Sequence, residues 1–349
     1  MKKGLLLLNL GTPASPEPPQ VGAYLKEFLM DPLVIDVPWA ARWFLVNALV
    51  VPKRKFASSA QYKTIWTERG SPLLFHLQDL AAKVAPLLKD EYETAIAMRY
   101  GTPSVGAALA SFHEKGITDV TVFPLYPQYA ESSTRSSVEA CLAEAKRISP
   151  SLELSFVPAF YAAPEYIAPY AALVKAAFEK TRPDHVLMSF HSLPERHVRR
   201  TDRSGGSHCL KSSGCCDAIV AANRDCYRAQ SYATARAIAS ACGLSSAQYS
   251  VAFQSRLGRA EWIKPATEPT IEQLAKRGVK KLAVVCPSFV ADCLETVEEI
   301  GVRAAEVFEK AGGGELVRIE CLNSHDDWAR GVAELVRSPT RSVDATRPI

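Results

Sequence analysis

The sequence predicts an α/β fold of two repeated Rossmann-like halves, each a four-stranded parallel sheet flanked by helices. Three observations lead there. Short apolar runs alternate with helical patterns along the 349 residues, which is the pattern of βα units. The eight runs fall into two sets of four. The punctuation also repeats. The second run of each set ends in a basic residue near a glycine, Arg99-Tyr100-Gly101 and Arg256-Leu257-Gly258. The third runs into proline and a polar loop, Phe123-Pro124-Leu125-Tyr126 and Cys286-Pro287-Ser288-Phe289.

The first run, Leu5–Leu10, follows two lysines and imitates an export signal. It is too short, Asn9 and Gly11 break it, and no small-residue cleavage site follows, so it reads as a buried strand. Asn9-Leu10-Gly11-Thr12-Pro13 stands where a dinucleotide fold would carry G-x-G-x-x-G, and no Walker loop occurs. Residues 38–52 are unusually apolar for a connection, and Lys53-Arg54-Lys55 follow at once. Trp43, Phe44, Leu45 and Val46 in a row do not keep to one helical face, which argues for an exposed lip over about 38–55 rather than a core helix. Glu93–Arg99, Asp119–Leu125 and Glu153–Val157 complete the first set. The halves join near 158–183, giving expected domains 1–160 and 161–335 with a ligand cleft between them. His185–Phe190, Tyr249–Gln254, Lys281–Cys286 and Leu316–Cys321 form the second set. Residues 336–349 are polar and read as a frayed tail.

Hydrophobic content of 48% with 22% charged residues fits a soluble globular enzyme. A net charge of +4 without a dense basic block speaks against nucleic acid as partner. No apolar window reaches the length of a membrane span. Nine cysteines without an export signal point to a reducing, cytoplasmic setting. The oligomeric state, monomer or homodimer, is left open.

His191 ends the apolar run Val186-Leu187-Met188-Ser189-Phe190, at the sheet end where ligands bind in open α/β folds. Read blandly, it is a core histidine on a backbone carbonyl. Beyond Pro287, Glu295 and Glu299 fall one helical turn apart, with Glu298 beside them on a solvated acidic face. A neutral imidazole and a carboxylate at one cavity can bind Fe(II), Zn(II) or Co(II), or relay protons. Cys209, Cys215, Cys216 and Cys226 are bunched within a Gly/Ser-rich insert, about 203–226, that has no apolar periodicity. Four thiolates there suit a metal clasp that contributes folding energy, with His208 a weaker substitute. The remaining histidines, His76, His113, His185, His197 and His325, read as structural, and Cys293 as a small wall residue.

Ser189-Phe190-His191-Ser192-Leu193-Pro194, Phe123-Pro124-Leu125-Tyr126-Pro127-Gln128-Tyr129, Phe253-Gln254-Ser255-Arg256-Leu257-Gly258 and Leu294-Glu295-Thr296, with the Asn9 segment before them, resemble the ferrochelatases in order and spacing. The resemblance runs from about Gly4 to about residue 335. It implies a class II chelatase-like fold and the insertion of Fe(II) into protoporphyrin IX to give protohaem. Within it His191 is the pyrrole-proton acceptor or iron ligand, Glu295 an iron ligand or proton relay, and Glu299 an extension of an acidic path. Arg54, Tyr62, Ser71 and Ser255 would meet propionates. Leu10, Arg99, Tyr126 and Trp262 would line the ring pocket. The apolar lip would face the inner membrane, making the protein cytoplasmic and peripheral there. The four cysteines would hold a [2Fe–2S] cluster, with structural zinc the alternative. Coproporphyrin is the competing substrate, and a porphyrin or metal carrier without turnover the competing class.

Overall fold

A computed structural model describes residues 2–256, 258 and 260–338. Eight strands form: β1 (Lys3–Gly11), β2 (Tyr92–Tyr100), β3 (Asp119–Pro124), β4 (Glu153–Phe156), β5 (His185–His191), β6 (Tyr249–Gln254), β7 (Lys281–Val285) and β8 (Glu315–Arg318). They make two parallel four-stranded sheets, ordered β2-β1-β3-β4 and β6-β5-β7-β8. In each sheet the first strand in sequence lies inside, so β1 and β5 are covered on both faces. That is why Leu5–Leu8 and Val186–Met188 read as unbroken apolar runs and not as alternating ones.

The differences from expectation lie at strand ends. β8 stops at Arg318 rather than Cys321, because its partner β7 ends at Val285, ahead of Pro287. Beyond that only the Ile319 N–H reaches back, to the Val284 carbonyl at 2.8 Å. The apolar segment is helical: Trp39–Phe44, a π-helix Leu45–Val50, then Val51–Ile65 with Pro52 in its first turn, where no intrahelical donor is needed.

The chain divides into two compact units. One holds the residues up to Tyr126, Glu131–Pro158 and the chain from Ser324; the other holds Pro127–Ala130 and Ala159–Asn323. The helix Asp326–Arg337 thus belongs to the first unit, where the sequence reading had kept residues through 335 in the second half. It packs on the helix Pro72–Leu87, burying Trp328, Ala329, Val332, Ala333 and Val336, residues three or four apart on one face. Lys83 to Asp326 at 2.6 Å and Arg337 to Glu91 at 2.9 Å flank that seam. Of the expected tail, Val336 and Arg337 close this helix, and 339–349 lie outside the described residues.

Gly11 ends β1 at φ +130°, and a Cβ there would stand 2.1 Å from the Tyr100 carbonyl oxygen. Gly11→Ala should therefore destabilise the protein by about 3 kcal/mol or more, since clash and a forbidden φ add. Urea unfolding checks this, and an unchanged midpoint would refute it.

Candidate active site

β5 delivers His191 with its backbone fixed on both sides. The His191 N–H donates to Ser288 Oγ at 2.9 Å, and the Ser192 N–H donates to the Gln254 carbonyl at 2.7 Å. His191 Nδ1 lies 2.6 Å from the Ser192 carbonyl oxygen. A carbonyl can only accept, so Nδ1 carries the hydrogen of the neutral ring and Nε2 keeps the free lone pair. The expected backbone-bonded histidine is thus also the one with a basic nitrogen available. Phe289 meets the imidazole edge-on, ring centroids 6.2 Å apart. The Pro287 and Phe289 carbonyls accept hydrogen bonds from the buried Tyr166 and Tyr170 hydroxyls, which holds this loop from beneath. Trp262 forms an isolated bridge with Pro194, just past His191.

Glu295 and Glu299 stand on a ten-residue π-helix, Glu295–Ala304. Such i→i+5 turns cost hydrogen-bond quality and concentrate at functional sites. Its start is pinned from several sides. Gln254 Nε2 donates to the Glu295 carbonyl at 2.7 Å. Buried Asp292 accepts from Thr296 Oγ1 at 2.8 Å, Arg318 Nη1 at 2.6 Å and Asn323 Nδ2 at 3.0 Å. Gly301 leaves room for the Arg318 stem, whose Cδ would be 3.2 Å from an added Cβ.

The Glu299 carboxylate accepts from the Ser255 N–H at 2.9 Å and the Ser255 hydroxyl at 2.5 Å. Ser255 adopts φ +66°, a left-handed conformation uncommon outside glycine, and this turns both donors toward Glu299. Burial pushes the Glu299 pKa up and the Glu295 charge adds to the rise, while Ser255, Arg303 and His191 oppose it. His191 and Glu295 are therefore each within electrostatic reach of Glu299.

Two expectations change here. The Ser255 hydroxyl is engaged by Glu299, so it is not a free donor for a propionate. Glu298 is no solvated face; it is buried and ion-paired to Arg303 at 3.0 Å, because the π-turn rotates it inward toward that guanidinium.

The other predicted site residues belong to the first unit. Leu10 follows Asn9, whose side-chain oxygen accepts the Leu10 N–H at 2.8 Å. Thr12 Oγ1 donates to buried Ser71 Oγ at 2.8 Å. Tyr62 is buried edge-on to Trp66, and Arg54 is exposed on the helix Val51–Ile65. The Tyr126 hydroxyl is 3.1 Å from Ser137 Oγ. Arg99 binds Asp31 at 2.7 Å and Ser136 Oγ at 2.8 Å, and stacks on Tyr100. Of the predicted residues Arg99 alone lines a cavity of about 390 Å³, with Asp31, Tyr100, Ser136, Glu27 and Glu139. The sequence reading missed Asp31, Ser136, Ser288 and Asp292, which are single polar residues in loops or helix starts, without a pattern to flag them.

Cys209, Cys215, Cys216 and Cys226 are all buried. Cys215 and Cys216 sulfurs are 3.7 Å apart, and Cys226 is in side-chain hydrogen-bond contact with both Cys209 and Cys216. Arg228 Nη1 donates to Cys216 Sγ at 3.0 Å. Buried Asp202 gathers the loop by accepting the His208 and Cys209 N–H groups at 3.0 and 2.7 Å. His208 Nε2 is engaged with the Cys215 carbonyl at 3.0 Å, which removes it as a substitute ligand. The Cys226 hydrogen bond to Cys209, then burial, pushes its thiol up to about 12. Among the described residues no group of three or more His, Cys, Asp or Glu side chains is arranged as a metal site.

The ferrochelatase family model matches residues 2–340. The chain belongs to the ferrochelatase family. Ferrochelatases of Azotobacter vinelandii and Stutzerimonas stutzeri are 47% and 46% identical to it, each over 96% of this chain and 98% and 97% of theirs. That of Bdellovibrio bacteriovorus is 43% identical over 97% of this chain and 99% of its own. SirB from Bacillus subtilis, solved with Fe3+, superposes with a TM-score of 0.53 at 12% identity, over 97% of this chain and 96% of its own, a likeness of fold. As a ferrochelatase the protein is a metal chelatase, and it serves the terminal step of haem synthesis.

A carboxyl whose pKa rises on folding costs nothing below about pH 4.3, where it is protonated in both states, and its full penalty above the folded value. Glu299→Gln should therefore gain stability relative to the parent as pH rises from 4, levelling off above the raised folded pKa. Denaturation at several pH values checks this; a pH-independent difference would mean that Glu299 folds without strain.

Proposed function

We propose that His191 takes the pyrrole protons of protoporphyrin IX through Nε2 while Fe(II) enters from the side of Glu295. A porphyrin must lose two protons as the metal binds, so it needs a base held at its centre and a route for protons to leave. The supporting observation is the electrostatic contact of Glu299 with both Glu295 and His191. Glu295 meets the iron as a hard oxygen donor. Glu299, buried and raised in pKa, is placed to take up a released proton and pass it outward along the π-helix. His191 and Glu295 are the residues we assign to metal handling.

The substrate we favour over coproporphyrin is protoporphyrin. Trp39, Trp43, Phe44, Leu49 and Phe56 are 65, 47, 56, 46 and 60% exposed on one helical segment, beside Lys53, Arg54 and Lys55. Such a surface suits an apolar macrocycle and an anionic membrane face. No described helix is long and apolar enough to cross a bilayer. Arg54 and Ser71 remain our propionate partners, with Tyr62 beside them.

The cysteine loop suits a soft metal group by its chemistry, four buried sulfurs with a guanidinium beside one of them, although the described side chains are not gathered as a metal site. Cys209, Cys215, Cys216 and Cys226 would hold a [2Fe–2S] cluster, or structural zinc in its place. Such a group supplies folding energy to a loop that has little core of its own.

His191→Ala should reduce Zn(II) or Fe(II) insertion into protoporphyrin by at least about 100-fold. Glu295→Gln should lower turnover while leaving porphyrin affinity within about twofold. Both are read from the change of the free-base spectrum to the metalloporphyrin one; wild-type rates in His191→Ala would sink the assignment. Protein made anaerobically with iron should be brown and bleach on reduction. A colourless preparation with stoichiometric zinc would favour the zinc alternative.

A further inference from the structure

We infer that Gln254 is a positioning residue that sets the spacing between His191 and Glu295. It closes β6 opposite His191 of β5 and is buried. Its main-chain carbonyl accepts the Ser192 N–H at 2.7 Å, and the Ser192 carbonyl in turn accepts from His191 Nδ1. Its side chain reaches the other way, where Nε2 donates to the Glu295 carbonyl at 2.7 Å. One residue thus ties the strand end that orients the imidazole to the first turn of the helix that carries the carboxylate.

The orientation of the amide is fixed by its partners. The Glu295 carbonyl can only accept, so the NH2 group faces it. The amide oxygen receives the Ser189 hydroxyl at 2.6 Å, and the Cys286 sulfur stands 3.7 Å away. Ser189 gives its one hydroxyl hydrogen to Gln254, so the Thr267 hydroxyl at 2.8 Å donates to Ser189. A relay from Thr267 through Ser189 and Gln254 therefore ends on the Glu295 main chain. An amide of this length accepts from Ser189 and donates to Glu295 at once. A carboxylate could only accept, and a methionine would fill the volume without bonding at either end. Ser255, next in the chain, holds the Glu299 carboxylate, so the end of β6 fixes both acids.

The inference rests on His191 and Glu295 being the reacting pair, and its test separates the two. Full-length Gln254→Met and Gln254→Glu are assayed with Zn(II) and protoporphyrin between about pH 6 and pH 8.5, and amide hydrogen exchange is followed at Ser192 and over residues 296–300. Gln254→Met should lower kcat about 10- to 100-fold with the KM for protoporphyrin within about twofold. Exchange should quicken over 296–300, while the Ser192 N–H, bonded to the main chain of residue 254, should stay as slow as in the parent. In Gln254→Glu the introduced carboxyl can donate to the Glu295 carbonyl only when protonated. It would face Ser189, Cys286 and the Glu295 main chain, with His191 paired across the strand and Glu299 held by the next residue. Its kcat, as a fraction of the parent's at the same pH, should rise at least about fivefold from the alkaline to the acid end, whereas the Gln254→Met fraction should stay flat. A flat fraction in both variants, or parent kcat in Gln254→Met, would overturn the inference. Equal losses in kcat and protoporphyrin affinity would overturn it too, since Gln254 would then shape the pocket instead. If Gln254→Met does not fold, the pH profile of Gln254→Glu decides alone. Should His191→Ala and Glu295→Gln keep their turnover, the catalytic reading falls, while exchange over 296–300 still decides whether Gln254 holds the start of that helix.

Discussion

The second unit is organised around a buried carboxylate that it does not fully neutralise. Glu299 is drawn out of water beside another acid, and Ser255, Arg303 and His191 answer its charge. An arrangement of this kind survives only if its surroundings are over-determined. Ser255 accepts a left-handed backbone to aim two donors at it. The π-helix gives up ideal hydrogen bonding to keep both acids on one side, and Asp292 fixes where that helix begins. Remove the buried acid, and neither the strained serine nor the wide helix has a physical reason to persist.

The two sheets make the same shape and use it differently. Leu8 of β1 stands opposite Pro124 of β3. Met188 of β5 stands opposite Val285, the last residue of β7. Asn9 pairs with Met98 and His191 with Gln254, each near the carboxyl end of its sheet's inner strand. Asn9 turns its side chain back onto the next backbone N–H, whereas His191 fixes only Nδ1 in this way and keeps Nε2 free. The strand end thus closes on its own backbone in the first unit and leaves a ring nitrogen open in the second.

Strands were legible because burial on both faces removes alternation, and continuous apolar runs bounded by proline or glycine stand out in any sequence. His191 was legible for the same reason, as a polar residue ending such a run. Glu295 and Glu299 could be paired from their spacing, but their turn type could not be read, since the helix start is held by Arg318 and Asn323 reaching Asp292 from elsewhere in the fold. Glu298 was misjudged for that reason: its partner Arg303 is close in sequence, but the rotation that buries it is not. The role of the Ser255 hydroxyl was hidden likewise, because a serine in a motif does not announce whether it faces a ligand or a carboxylate. The helix Asp326–Arg337 shows the converse. Its apolar face is plain in the sequence, and only the fold says which unit it covers.

The cysteine loop follows a different logic from the sheets. Its sulfurs are grouped by polar devices: Asp202 collects amides, Asn223 holds the Cys215 and Ala218 carbonyls at 2.9 Å, and Arg228 reaches Cys216. Burial first raises the Asp202 pKa, yet the Ser204, Cys209 and His208 donors outweigh it and hold the carboxyl well below the usual range. That is the signature of a carboxylate kept charged to organise a loop, since a protonated acid could not accept all of those amides. The loop is therefore shaped by its own polar contacts. Burial raises the Cys215 thiol, hydrogen bonds among the sulfurs and then burial raise those of Cys216 and Cys226, and Arg228 donates to one sulfur. A soft cation there would have to displace the thiol protons, so loading such a loop would release protons and weaken as pH falls.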